Sequence, residues 1–447
     1  MSEQRISRRH FIEKASVGTA TVMTTIPVFE FYNMSADKLA ISGGQPVRTD
    51  GWLKWPVWDK DAEGEIASVL RSGIWCRLGG NKVSEFEKKY AELMGAKRCL
   101  ATASGTTALL VAMHVLGIDA GDEVLVSPYT FIATYNVVFL SKALSVFVDT
   151  DPETFTMNPA KIEERITERT KAIIPVHILG LPCDMDKINA IAKKHDLKVI
   201  EDACQAWLAE YKGKKCGTLG DLGCFSFQNS KNLPAGEGGA IVGDDDEIMD
   251  KCYSFHNCGR PYGSVKATSS YPLRGSNRRM QEFQAVILMS QMKRIQRDAD
   301  IRLKNAQYLD SQLKDIPGII PYKLTEGATR SAYHLYPFRY KKEYFSNAPR
   351  NKFLSALRAE GIPCSDGYGP QNKDGLIEDA LSSRGYQRLF SKERLNRYRE
   401  ENVLPGNDQL CEEAVWFGQN MLLGSQNDMK QIVEAIVKIH KNSDKLV

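Results

Sequence analysis

The sequence is poor in the residue patterns that build metal centres and nucleotide loops. Its 447 residues hold 7 His and 10 Cys. No two cysteines form a C-x-x-C pair and no His clusters around them, which argues against a zinc site, and no bound metal is expected. The cysteines are therefore expected as free thiols, with Cys99, Cys204 and Cys224 in apolar runs as small buried hydrophobes. No Gly-Lys-[Ser/Thr] follows a glycine loop, so there is no P-loop. Gly217, Gly220 and Gly223 precede a strand-like run rather than follow one, which excludes a dinucleotide fingerprint. There is little net charge: +4, with Lys and Arg scattered. That argues against a nucleic-acid partner. The one apolar stretch near the start, Ala15 to Phe29, falls short of the ~20 residues of a stable membrane span. No internal repeat or low-complexity tract occurs.

What remains is an ordinary globular composition, 43% hydrophobic and 26% charged, long enough for more than one domain. The N-terminus stands apart. Ser7-Arg8-Arg9-His10-Phe11-Ile12-Glu13-Lys14 ahead of the mild apolar run resembles a twin-arginine export signal. Residues 1–36 then read as signal and linker, with Met34-Ser35-Ala36 as a small-residue cleavage region. The chain would be exported through that route, or cytoplasmic if the signal does not function; a basic tail is the plainer alternative. Residues 40–58, AISGGQPVRTDGWLKWPVW, read as an arm over a domain. Trp52, Trp55 and Trp58 in it suit packing anchors better than a sugar platform.

Helical patterns follow over Asp61–Arg71 and Asn81–Met94. Strand-like runs then recur at Cys99–Ala103, Glu123–Ser127, Leu144–Asp149, Ala172–His177, Lys198–Asp202, Gly223–Phe227 and Gly239–Gly243. Helical patterns at Thr106–Leu116, Pro159–Arg165 and Met185–His195 separate several of them. This alternation predicts an α/β layer with a seven-stranded, mostly parallel sheet. A long helix over Met280–Leu313 leads to a smaller α+β region with helices at Pro349–Glu360 and Asn427–His440. The expected domains are residues 37–290 and 291–447.

The chemistry gathers around VIEDACQAWLAEYKGKKCGTLGDLGCFSFQNSKNLPAGEGG, residues 199–239. Asp202 ends one strand and Lys231 follows another, where α/β sheets assemble their sites. A lysine in a partly dry site becomes a usable amine nucleophile. Lysine as a Schiff base with an aspartate on a pyridinium nitrogen is the arrangement that holds pyridoxal phosphate (PLP). Taken singly, a turn-capping Asp and a solvated Lys explain the same letters. Ser104-Gly105-Thr106-Thr107, between a strand and a helix, suits a phosphate cradle or an ordinary N-cap. Phe131, past the next strand, suits stacking on a flat ring or a place in the core. Gln205 lies three residues beyond Asp202, in reach of the same ring's phenolic oxygen, and Ser226 five before Lys231 suits phosphate.

The motifs SGTTAL, SPYTFIAT, FVDTDPETF, AIIPVHILGLPCDMD, VIEDACQA, GDLGCFSFQNSKNLPAGEGG and GSNRRMQEFQA, in that order, resemble the DegT-type sugar aminotransferases, PLP enzymes of fold type I. The likeness runs from about residue 40 to the end. ISGGQPVRTDGW, FSFQNSK, HNCGRP and RGSNRRMQEF look most like the branch with 3-amino-5-hydroxybenzoate synthase and glutamine:scyllo-inosose aminotransferase.

The resemblance implies that Lys231 is the Schiff-base lysine, Asp202 the pyridine-nitrogen partner, Gln205 the contact of the ring hydroxyl and Phe131 the stacking ring. It implies that Gly105, Thr106 and Ser226 hold the phosphate, with Asn277 reaching it from the second subunit of a homodimer. His334 matches a substrate-facing position, and Tyr368 stands in the substrate loop. The expected reaction is ping-pong transfer of an amino group from glutamate or glutamine to a keto-sugar or keto-cyclitol. The chain departs from the family at Trp207-Leu208, where many members have His-Gly, and at Tyr368, in a loop that more usually bears Pro and His. Both departures bear on which sugar the resemblance implies, not on the cofactor. Two other readings stay open: a PLP-dependent sugar dehydratase, whose relatives tend to replace the lysine present here, and a non-catalytic exported binding protein.

Overall fold

The computed structural model describes residues 38–447. The twin-arginine segment lies outside the described residues. The architecture is set by runs of residues apolar on both sides. EVLV at Glu123–Val126 (β2) and LSVF at Leu144–Phe147 (β3) are buried throughout, as strands covered on both faces must be. With Arg98–Thr102 (β1), Thr170–Ile174 (β4), Lys198–Asp202 (β5), Leu222–Ser226 (β6) and Gly239–Gly243 (β7) they form one seven-stranded sheet. Its order is β1-β7-β6-β5-β4-β2-β3. The pairs β2–β3, β2–β4, β4–β5 and β5–β6 are parallel, while β7 runs antiparallel to β1 and β6. The α/β layer with a seven-stranded, mostly parallel sheet is therefore as the sequence predicts.

Successive residues of a strand enter different cores. Cys224 joins the cluster around Val124, Leu144 and Ile173, while its neighbour Phe225 joins that of Phe86, Tyr90 and Phe227. That alternation is the pleat read through a sheet covered on both sides. The helices carrying the site and its supports are Lys82–Met94 (α1), Gly105–Val115 (α2), Ala133–Leu140 (α3) and Glu282–Leu313 (α4). The 32-residue α4 starts in a Gln281/Gln284 capping box. Its Glu282 accepts from Lys82 N at 2.7 Å and Val83 N at 3.2 Å. A carboxylate thus meets the positive end of α1 and ties it to α4.

Pro159–Arg165, expected as one helix, is two single 3-10 turns. Beyond α4, Ile319–Pro321 (β8), Leu335–Tyr340 (β9) and Ala414–Gly418 (β10) form an antiparallel sheet with β9 in the middle. Six helices accompany it, among them Arg350–Ala359 and Gln426–Lys441, where two were expected. All ten cysteines are unpaired. Among the described residues, no helix is long and apolar enough to cross a membrane.

Candidate active site

The carboxyl ends of the central strands open into a cavity of about 540 Å³ that holds Asp202, Lys231, Gln205, Ser226, Gly105 and Thr106 together. Asp202, the last residue of β5, is 5% exposed. Its Oδ2 accepts from Thr134 Oγ1 at 2.7 Å and its Oδ1 from Cys204 N at 3.1 Å. Thr134 is itself bonded to Thr130 at 2.8 Å. The carboxylate is thus fixed from two sides, and its remaining lone pairs are available to a cationic N–H.

Lys231 follows β6 in a turn closed by its own N–H on Gln228 O at 2.9 Å. Burial pushes its ammonium pKa down, against the pull of Cys204 and Asp202. The carbonyl of Lys231 accepts from Trp55 Nε1 at 3.0 Å. That indole lies 5.4 Å from each of the Arg294 and Arg302 guanidinium centres, so two cations hold the ring that holds the lysine's backbone.

A cradle sits beside them. Ser104 caps α2 by accepting from Thr107 N at 3.1 Å, which leaves the N–H groups of Gly105 and Thr106 unpartnered. A Cβ at Gly105 would lie 2.7 Å from Ser226 Cβ and 2.8 Å from Cys204 Sγ, so only glycine lets β6 approach the helix start this closely. The free N–H groups and the hydroxyls of Thr106 and Ser226 make a cradle suited to phosphate. Phe131 is 55% exposed, a surface ring on the cavity wall rather than a core residue.

Opposite, Gln205 is fixed by its Oε1, which accepts from Leu179 N at 2.8 Å. Its Nε2 donates to Tyr368 Oη at 3.0 Å, and its second N–H remains free. Burial pushes the Tyr368 phenol up to about 12. His334 pairs through Nδ1 with Asn232 Oδ1 at 3.2 Å. Burial, and then the charges of Lys231 and Arg302, hold that imidazole well below its usual range.

The sequence profile of the DegT/DnrJ/EryC1/StrS aminotransferase family matches residues 56–436. The chain belongs to this family. It is 33% identical over 91% of its length to the L-glutamine:2-deoxy-scyllo-inosose aminotransferase of Streptoalloteichus tenebrarius, covering 99% of that protein. Identity to the protein of the same name from Streptomyces kanamyceticus is 34%, covering 91% of this chain and 97% of the relative. Among solved structures, that of 3-amino-5-hydroxybenzoic acid synthase superposes with TM-score 0.78 at 29% identity, over 88% of this chain and 100% of the other. An aminotransferase from Psychrobacter cryohalolentis gives TM-score 0.77 at 31% identity, over 88% and 100%. The fold is that of the fold type I aminotransferases.

In this aminotransferase the cavity gathers nine of the ten sequence-selected residues: Lys231, Asp202, Gln205, Gly105, Thr106, Phe131, Ser226, His334 and Tyr368. Asn277 is not among them. It is exposed, paired with Asn257 in the segment leading to α4. Sequence reasoning did not single out Thr134 or Asn232, which hold Asp202 and His334, and read Trp55 only as a packing anchor, without its bond to the Lys231 backbone. Thr134 sits inside SPYTFIAT and Asn232 directly follows Lys231, so their motifs were visible while their bonds, made across the fold, were not. Trp207 is fully buried and packs edge-on against His334 with ring centroids 5.9 Å apart.

Proposed function

We propose that this aminotransferase binds PLP through Lys231 and Asp202, and moves an amino group from glutamine or glutamate to a keto-cyclitol or keto-sugar. The observation that carries the reading is a lysine of lowered proton affinity in one cavity with a doubly fixed carboxylate and a glycine-dependent cradle. The cavity's chemistry fits the cofactor: N–H groups and hydroxyls for a phosphate, a carboxylate for a ring nitrogen and an exposed aromatic face for stacking. The relatives named for L-glutamine and 2-deoxy-scyllo-inosose support glutamine as donor and a cyclitol ketone as acceptor.

When bound, PLP supplies an aldehyde carbon that condenses with amines and a ring that takes up the electrons left when a proton departs. The chain's residues do the rest. Lys231 Nζ, its ammonium pKa lowered by burial, would be the amine that holds the cofactor's aldehyde carbon and, when free, the base and acid that moves the donor's α-proton. Asp202 would keep the ring nitrogen protonated, its carboxylate held in place by Thr134 Oγ1 and the Cys204 N–H. Gly105, Thr106 and Ser226 would hold the phosphate, and the free N–H of Gln205 would be available to the ring oxygen. We place Asn277 at the phosphate of a second copy of the chain, so that two chains complete each site.

Lys231→Ala tests the assignment. The variant is expected to bind PLP reversibly and to show no amino transfer in product analysis. Turnover at a measurable fraction of the parent rate would remove Lys231 from its role.

A further inference from the structure

Two neutral groups facing the cavity have their hydrogen-bonding sense fixed from behind. Leu179 N–H donates to Gln205 Oε1, so the amide must present its nitrogen to Tyr368. Tyr368 Oη therefore accepts from protein and keeps its own proton for something in the cavity. The ring cannot turn away. It packs edge-on against Trp416 at 5.0 Å and Tyr129 at 5.5 Å, and the loop enters through Gly367 at φ +81°, where a Cβ would lie 2.6 Å from Tyr129 Oη.

His334 is the mirror case. Asn232 Nδ2 donates to Ala332 O at 2.9 Å, so Asn232 must present its oxygen to the imidazole. The proton then sits on Nδ1, and Nε2 is a bare acceptor with no protein partner among the described residues. Trp207 fixes the ring plane from the side. Apart from Lys231, Asp202 and Glu237, the side chains lining the cavity are uncharged, and no arginine is among them.

We infer that Tyr368 Oη and His334 Nε2 form a donor–acceptor pair that reads hydroxyl groups of an uncharged, polyhydroxylated ketone, with Gln205 and Asn232 as the positioning residues that set each partner's sense. A hydroxyl both accepts and donates, so it satisfies either member. A phosphate or a carboxylate meets only one donor and is repelled by the lone pair of the other. The inference rests on the aminotransferase reading above and specifies its acceptor substrate.

The test uses PLP-loaded enzyme and separates the two half-reactions. The first is the bleaching of the visible band by glutamine; the second is turnover with scyllo-inosose, 2-deoxy-scyllo-inosose or a nucleotide-linked keto-sugar. The parent is expected to accept an inosose. Tyr368→Phe and His334→Leu should each raise the KM for it about three- to tenfold, the worth of one neutral hydrogen bond, and by more than they raise the KM for glutamine. His334→Gln, which restores an acceptor oxygen, should recover part of the loss. Two results would overturn the pair: turnover only with the nucleotide-linked sugar, or an unchanged inosose KM in Tyr368→Phe. A parent without a visible band would instead contradict the cofactor reading itself.

Discussion

At the scale of single residues, the site is a set of groups whose protonation and orientation are decided by neighbours one layer out. His334 shows the consequence for stability. Its folded-state pKa lies well below the ordinary imidazole value. As pH falls through about 6.5, the unfolded chain takes up a proton that the folded chain refuses, so the native state loses stability. The slope approaches about 1.4 kcal/mol per pH unit for one such group. Urea unfolding of parent and His334→Gln at pH 7 and pH 5 measures it: the parent is expected to lose up to about 2 kcal/mol more than the variant over that interval. Equal losses would mean that His334 is protonated in the fold. The residue scale is also where sequence reading reached furthest. Lys231, Asp202, Gln205 and Ser226 lie on strand ends or the turns after them, and strand ends converge in any parallel sheet. Trp55 was legible as a packing anchor, but not that its indole meets the Lys231 carbonyl from 176 positions away in sequence. Nothing local in GWLKWPVW announces that contact.

At the scale of elements, β1, α2 and β6 act as one unit, because α2 starts directly against the end of β6. Gly105→Ala puts a methyl into the Ser226 and Cys204 side chains and forces the helix start off the strand. The expected cost is about 1–3 kcal/mol of stability, with PLP affinity lowered at least in proportion. A melting curve with and without PLP checks both, and a variant with parental affinity would show that the cradle does not hold the phosphate. Elements were legible where their burial was two-sided. All seven sheet strands stand in the sequence as short apolar runs, and Lys198–Asp202 and Gly239–Gly243 coincide with the expected bounds. Helix α3, ATYNVVFL, was not legible: five of its eight residues are buried, so it has no polar face to give a helical period. The helices over 375–413 failed for the opposite reason. Lys392–Glu401, KERLNRYREE, buries only Leu395 and Tyr398 and looks like a solvated run until tertiary contacts define its face.

At the scale of the whole molecule, the single chain leaves features that a second copy would explain. Asn277 is exposed outside the cavity, and Ile74, Trp75 and Leu78 form an exposed apolar loop of a kind that marks interaction surfaces. A shared-site dimer makes a quantitative prediction. Lys231→Ala and Asn277→Ala chains, each inactive or impaired alone, are mixed after reversible dissociation. Half of the dimers are then hybrids, each with one site that is intact in both residues, and activity should recover to about a quarter of the parent's. No recovery in demonstrably hybrid dimers would place Asn277 outside the partner's site.

The account stands on one claim, that Lys231 in this cavity carries PLP through an amino-transfer cycle. The most direct measurement is the visible spectrum of the purified chain after incubation with PLP, followed on adding glutamine or glutamate and then an inosose. The account predicts a yellow band, absent from Lys231→Ala, that bleaches with one of the donors and returns with the ketone. A chain that shows no band with PLP supplied, or a band that neither donor changes, would contradict it.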